Sequence, residues 1–164
     1  MTSAITVALE RAFALPAAPE RAFALLADVP RWAEWFPEVE AIEALPERGP
    51  GVYRWTMAPQ GPKGHTTQTV YACRYTSDAA AHVLTWTPVE GEGNATFEGE
   101  TRLTPAEATT DGDAGSSAGR LRLKATLELE LPPFVRPFVE PVVEIAFQSA
   151  VTKFLENVRA ALAA

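Results

Sequence analysis

A run of apolar side chains spaced by three and four residues closes the chain and limits what it can become. Between Val142 and Ala163 these are Val143, Phe147, Val151, Phe154, Leu155, Val158 and Leu162. That spacing puts them on one face of a helix. Glu144, Gln148, Lys153, Glu156 and Arg159 fall on the other face. Pro137 and Pro141 stand at its start, where a missing N–H has no helical partner to lose. The pattern predicts a main helix from Pro141 to Ala163, about 33 Å long at the usual rise per residue. Pro133 to Glu140 reads either as a separate short helix or as the kinked beginning of the long one. A helix with one apolar face needs another layer to lie against.

The rest of the chain supplies that layer as strands. Ile5, Val7, Leu9, Phe13 and Leu15 alternate with small or polar residues, and Arg11 interrupts their row. A period of two predicts a first strand, ended by Pro16 to Pro19. Two short helices follow, Glu20 to Ala27 and Pro30 to Trp35, the second stopped by Phe36-Pro37. Further strands are predicted at Val39–Leu45, Val52–Ala58, His65–Tyr75, His82–Thr87 and Asn94–Thr104, with turns at Pro46–Gly51 and Pro59–Gly64. Pro105 to Gly119 lacks an apolar period and reads as a mobile hairpin loop. The last strand, Gly119–Leu131, alternates most cleanly. Leu121, Leu123, Ala125, Leu127, Leu129 and Leu131 oppose Arg120, Arg122, Lys124, Thr126, Glu128 and Glu130, which predicts one dry and one wet face. The expectation is an α+β fold: a curved seven-stranded antiparallel sheet wrapped around the long C-terminal helix, with two short helices between the first two strands.

Composition bounds the function. A chain of 164 residues, 47% apolar and 21% charged, has enough apolar material for one well-filled domain. A net charge of −7 argues against nucleic acid as a partner. No apolar run is long enough for stable membrane insertion, and no signal-peptide layout opens the chain, so a cytoplasmic protein is expected. Cys73 is the single cysteine and His65 and His82 are the two histidines. That leaves no intrachain disulfide and a poor supply of metal ligands, so no metal and no cofactor is expected. Oligomeric state is not legible at this level.

The order of elements, together with Leu15-Pro-Ala-Ala-Pro-Glu-Arg-Ala-Phe-Ala-Leu-Leu-Ala-Asp28, then Trp32, Trp35, Phe36 and Pro37, resembles the START-like, helix-grip (SRPBCC) superfamily. More narrowly, the chain looks like the polyketide cyclase/dehydrase and lipid-transport branch. Phe154-Leu155-Glu156-Asn157 in the terminal helix is similar too. The resemblance spans a single domain over residues 1–164. It implies an elongated cavity between sheet and helix for a hydrophobic small molecule. No catalytic motif of any one member maps onto these residues, and fold alone does not settle function.

Candidate ligand-binding residues follow from the strand faces and that implied cavity. Tyr53, Trp55, Tyr71, Trp86 and Phe97 pave the sheet, with Phe138 and Phe147 on the helix. Aromatics with polar tips suit an apolar ligand site, and equally suit a filled core. Arg11 joins them as a charge in an apolar row, unless it snorkels to water near the strand end. Trp32 and Trp35 read as anchors of the second short helix rather than as the rim of a pocket mouth. His65 reads as a loop residue, and His82 shares a face with Leu84 and Trp86. Catalytic residues are left unassigned. Three functions stay open: binding or carriage of a lipid, quinone or polyketide-like molecule; a cyclase or dehydratase acting on such a ligand; and an interaction module with a filled core.

Overall fold

The structure is a computed structural model that describes residues 3–59, 66, 68–105 and 118–163. Its elements in chain order are β1 (Ser3–Leu15), α1 (Pro19–Leu26), a 3-10 helix (Val29–Glu34), β2 (Val39–Ala44), β3 (Val52–Met57), β4 (Val70–Asp78), β5 (Val83–Val89), β6 (Ala95–Pro105), β7 (Gly119–Leu131) and α2 (Arg136–Ala163). A short 3-10 turn at Pro46–Arg48 joins β2 to β3. The seven strands form one sheet in the order β1-β7-β6-β5-β4-β3-β2, and every pairing is antiparallel. The helix-grip expectation is met: a meander from β2 to β7, with β1 returning to pair with the last strand.

Side-chain periodicity explains the joint between chain ends. β1 pairs with β7 along its whole length, from Ser3 opposite Leu131 to Leu15 opposite Gly119. Every second residue of β7 from Leu121 to Leu131 is buried, while Arg120, Arg122, Lys124, Glu128 and Glu130 are exposed. A slip of one residue would turn that leucine row into water, so the register is strongly specified.

Several predicted boundaries move, each for a local reason. The long helix begins before Pro141, so of the two readings of Pro133 to Glu140 the one that joins it to the long helix holds. It is one continuous helix of 28 residues from Arg136 that carries Pro141 inside it, about 42 Å long. The turn leading in is hydrogen-bonded from Val135 N–H to Pro132 O at 3.0 Å and from Val139 N–H to Val135 O at 3.1 Å. Helical bonding is therefore under way before Pro141, which removes a single donor. The fourth strand starts at Val70 rather than His65. Its partner β3 ends at Met57, whose N–H donates to Thr69 O at 2.9 Å, so the ladder has no strand to continue on. β4 then extends to Asp78, held by β5 with Asp78 opposite Val83. The Asp78 carboxylate accepts from the N–H groups of Ala80 and Ala81, both at 3.1 Å, and caps the turn. His82 follows in the left-handed region at φ 56° and precedes β5 rather than opening it. The predicted turn residues from Gln60 to His65, and most of the predicted Pro105–Gly119 loop, lie outside the described residues.

The concave face of the sheet and the inner face of α2 enclose the core. Val139, Val143, Val151, Phe154, Leu155, Val158 and Leu162 are buried there. The end of the core beside α1 is packed by aromatics around Trp32, which is 1% exposed. Trp32 meets Trp55, Tyr75, Trp86 and Phe154 edge to face, with ring centroids 5.0 to 5.9 Å away. Its indole N–H donates to Leu26 O at 2.8 Å. The Asn157 side-chain amide donates to Trp35 O at 2.8 Å and ties α2 to the 3-10 helix. Both tryptophans are buried anchors.

One glycine permits that packing. Gly99 lies opposite Trp86 in the β5–β6 ladder, and the indole rests on it. A Cβ at Gly99 would stand 2.3 Å from Trp86 Cζ2 and 2.5 Å from Lys124 O. One of these is backbone and the other a ring held by neighbours, so neither yields easily. Gly99→Ala is expected to destabilise the fold by about 1–3 kcal/mol or more, read as a lower urea midpoint. An unchanged midpoint would show that Trp86 is free to shift.

Candidate functional site

A cleft opens at the other end of the core, between α2 and the sheet. Met57 from β3, Tyr71 from β4, Phe97 from β6 and Leu127 from β7 form its floor. Val143, Ala146, Phe147 and Ala150 of α2 form its roof, and Phe36, Glu38 and Thr69 stand at its side. The roof is low in bulk because Ala146 and Ala150, four residues apart, point small side chains at the sheet on either side of Phe147. The enclosed space is about 50 Å³. That is room for a few water molecules, against roughly 300–1,000 Å³ for the pockets of drug-sized ligands. A larger guest enters only if side chains yield. Phe36, Met57 and Phe147 are only half-buried, so moving them disturbs little of the packed core.

Three polar groups border this apolar space. The Tyr71 phenol is buried, and desolvation, with a smaller contribution from nearby Cys73, holds its pKa well above the ordinary value. It is therefore a neutral hydrogen-bonding group at physiological pH and not a base. Thr69 is buried beside it. Glu38 is exposed at the edge, with its backbone in the left-handed region at φ 71°. Its carbonyl accepts from Ala58 N–H at 2.6 Å. A non-glycine residue held in that conformation is strained, and such strain gathers near sites of function.

Of the residues singled out from sequence, the structure brings Tyr71, Phe97 and Phe147 together on the cleft, with Phe97 and Phe147 edge to face at 5.9 Å. Trp55 stacks behind Tyr71 at 5.9 Å and Trp86 lies against Phe97 at 5.5 Å, so both form a second layer. Tyr53 is half-buried against Tyr75 and does not line the cleft. Phe138 is 48% exposed on the outer face of α2. Arg11 lies on the opposite flank of α2, beside Gln148, Thr152 and Glu156, and its guanidinium donates to Glu10 O at 3.1 Å. His82 packs on Phe23 at 5.8 Å, away from the cleft. Phe36, Glu38, Met57, Thr69, Ala146 and Ala150 were missed as lining residues. The alanine pair was the legible signal: small residues on the inner face of a helix leave space.

The sequence profile described as polyketide cyclase / dehydrase and lipid transport matches residues 6–163. The chain belongs to that family. Solved structures share its fold. TTHA0849 from Thermus thermophilus is 23% identical, with 96% of this chain and 99% of that one covered at a TM-score of 0.62. The Zhui aromatase/cyclase from Streptomyces sp. R1128 is 21% identical, with 94% of each chain covered at 0.58. A START superfamily protein from Mycobacterium smegmatis is 12% identical, with 94% and 96% covered at 0.59. At these identities the likeness is one of fold. No curated protein matches the sequence. The chain places its C-terminal helix across the concave side of the sheet. Among the described residues, no helix is long and apolar enough to cross a membrane.

Proposed function

We propose that this protein binds and carries a hydrophobic small molecule in the cleft between the sheet and α2. The observation that carries the reading is the cleft itself. It is an apolar opening roofed by Ala146 and Ala150, bordered by side chains only partly packed, in a member of a family described by cyclase, dehydrase and lipid-transport activities. Apolar burial supplies the affinity, at roughly 25 cal/mol per Å² removed from water. Tyr71 and Thr69 supply orientation. Carriage is favoured over cyclisation because the buried polar groups at the cleft are a neutral phenol and a hydroxyl, with no buried acid–base pair beside them among the described residues.

Ala150→Phe tests the reading by filling the roof. The uncharged fluorescent probe N-phenyl-1-naphthylamine is expected to bind the native protein and to bind this variant at least about tenfold more weakly. The urea midpoint should fall by no more than an overpacked side chain costs, about 1–3 kcal/mol, because the half-buried Phe36, Met57 and Phe147 yield to the added ring. Unchanged probe affinity in the folded variant would remove the cleft as the binding site.

A further inference from the structure

Among the described residues that line the cleft, Glu38 alone carries a charge. The polar groups deeper in, Thr69 and the Tyr71 phenol, are buried and neutral. An ionised group taken in between them would lose its hydration and meet no opposite charge. A guest with a charged end therefore leaves that end at the edge, beside Glu38.

The backbone fixes where this carboxylate starts. Glu38 is held at φ 71°, with its carbonyl bonded by Ala58 N–H at 2.6 Å. β2 opens directly after it, and its register with β3 shifts between Val39 and Ala41. An irregularity of this kind re-aims a side chain. Glycine or asparagine would take the left-handed conformation at less cost. Local folding thus gives no reason for a glutamate at this position.

Its surroundings leave the carboxylate unused. It makes no hydrogen bond or ion pair among the described residues. Glu40, two places along β2, accepts from the Gln68 amide at 3.0 Å. The arginines on the adjoining 3-10 helix and on β3 are already matched. Arg31 lies 3.1 Å from Glu34, and Arg54 lies 3.2 Å from Glu43 and 3.6 Å from Glu92. The edge of the cleft therefore presents a negative charge that no described cation balances, on a chain whose net charge is −7.

We infer that Glu38 is the counter-ion for the head of the ligand, so that the cleft takes hydrophobic amines in preference to hydrophobic acids of the same shape. This deepens the proposed function and rests on the cleft being the ligand site. Three probes share a naphthalene ring and an arm of equal length: 2-(1-naphthyl)ethylamine, 2-(1-naphthyl)ethanol and 1-naphthylacetate. At neutral pH they are cationic, uncharged and anionic. Each is titrated at low salt by displacement of N-phenyl-1-naphthylamine.

The native protein is expected to bind the amine about tenfold more tightly than the acid, with the alcohol between them. One exposed ion pair gained and one repulsion avoided are each good for about threefold. High salt should shrink the ratio. Glu38→Gln should bring the three probes to within about twofold of one another, leaving the alcohol's affinity and the protein's Tm unchanged. Glu38→Asn, which suits the left-handed backbone, repeats the comparison should Glu38→Gln not fold. Glu128→Gln removes an equal charge from the exposed face of β7 and should keep the ratio. If the three probes bind the native protein equally, or the acid binds best, the counter-ion is refuted and the hydrophobic cleft survives. If Glu38→Gln keeps the ratio, or Glu128→Gln lowers it as much, the preference belongs to the net charge and the role of Glu38 is refuted. If no probe displaces the dye, both readings fall together. A marked drop in Tm for Glu38→Gln would show the carboxylate already engaged in the unliganded protein, and would also refute the counter-ion.

Discussion

Trp32→Ala is expected to cost about 3–5 kcal/mol of folding stability, a large share of the roughly 5–15 kcal/mol that holds a domain together. Three terms act at once. The indole is 1% exposed, so its transfer from water is lost in full. Its edge-to-face contacts with Trp55, Tyr75, Trp86 and Phe154 vanish, each such pair adding about 0.5–1.5 kcal/mol beyond area. Leu26 O also loses the donor that closes α1 against the 3-10 helix. The four rings come from three strands and α2, so they cannot collapse into the space without moving the sheet. Urea denaturation measures the change. Trp32→Phe separates the terms, because it keeps a ring and drops only the indole volume and its hydrogen bond. A loss below about 1 kcal/mol for Trp32→Ala would mean that the aromatic end repacks freely, contrary to close-packed cores.

Periodicity made the sheet and the terminal helix readable, because burial of one face imposes a repeat. The leucines of β7 and the valine, phenylalanine and leucine row of α2 are such repeats, and both stand in the structure as written in the chain. The start of β4 was not readable for the opposite reason. Thr67 and Thr69 have strand propensity, but pairing depends on where β3 ends, which is a property of the neighbour. Pro141 misplaced the helix start because a proline near an N-terminus is compatible both with initiation and with a second turn already under way. The site was the least legible. A pocket is a place where packing stops, and absence of bulk has no residue type of its own. Tyr71, Phe97 and Phe147 face it, while Trp55 and Trp86, identical to them in pattern, fill the layer behind. Which side of a stacked pair meets the opening depends on Phe36 and Glu38, residues of an irregular link that obeys no period.

The same buried row predicts a steep loss of stability in alkali. Tyr71, Cys73 and Tyr75 alternate along β4 and all point into the core. Burial is the main cause that raises each of their pKa values, and their closeness to one another adds to the rise for both tyrosines. In the unfolded chain the thiol and phenols ionise near their ordinary values, about 8.5 and about 10. Below those values both states hold the same protons and stability does not depend on these groups. Above them the unfolded chain releases protons that the folded chain keeps, so stability falls as pH rises, and it goes on falling until the folded values are passed. Each proton contributes about 1.4 kcal/mol per pH unit. The slope is expected to build from one group near pH 9 to about 4 kcal/mol per unit above pH 10, enough to unfold a domain of ordinary stability before pH 12. Urea midpoints between pH 7 and 11 measure the slope. In a Tyr53→Phe background, tyrosinate absorbance at 295 nm should then appear only together with loss of the fold. Tyr71→Phe combined with Cys73→Ala should flatten the dependence to roughly one proton. Tyrosinate absorbance in the folded background protein at pH 10.5, or a midpoint that stays level to pH 11, would show that water reaches this row and that the concave face is wetter than its packing indicates.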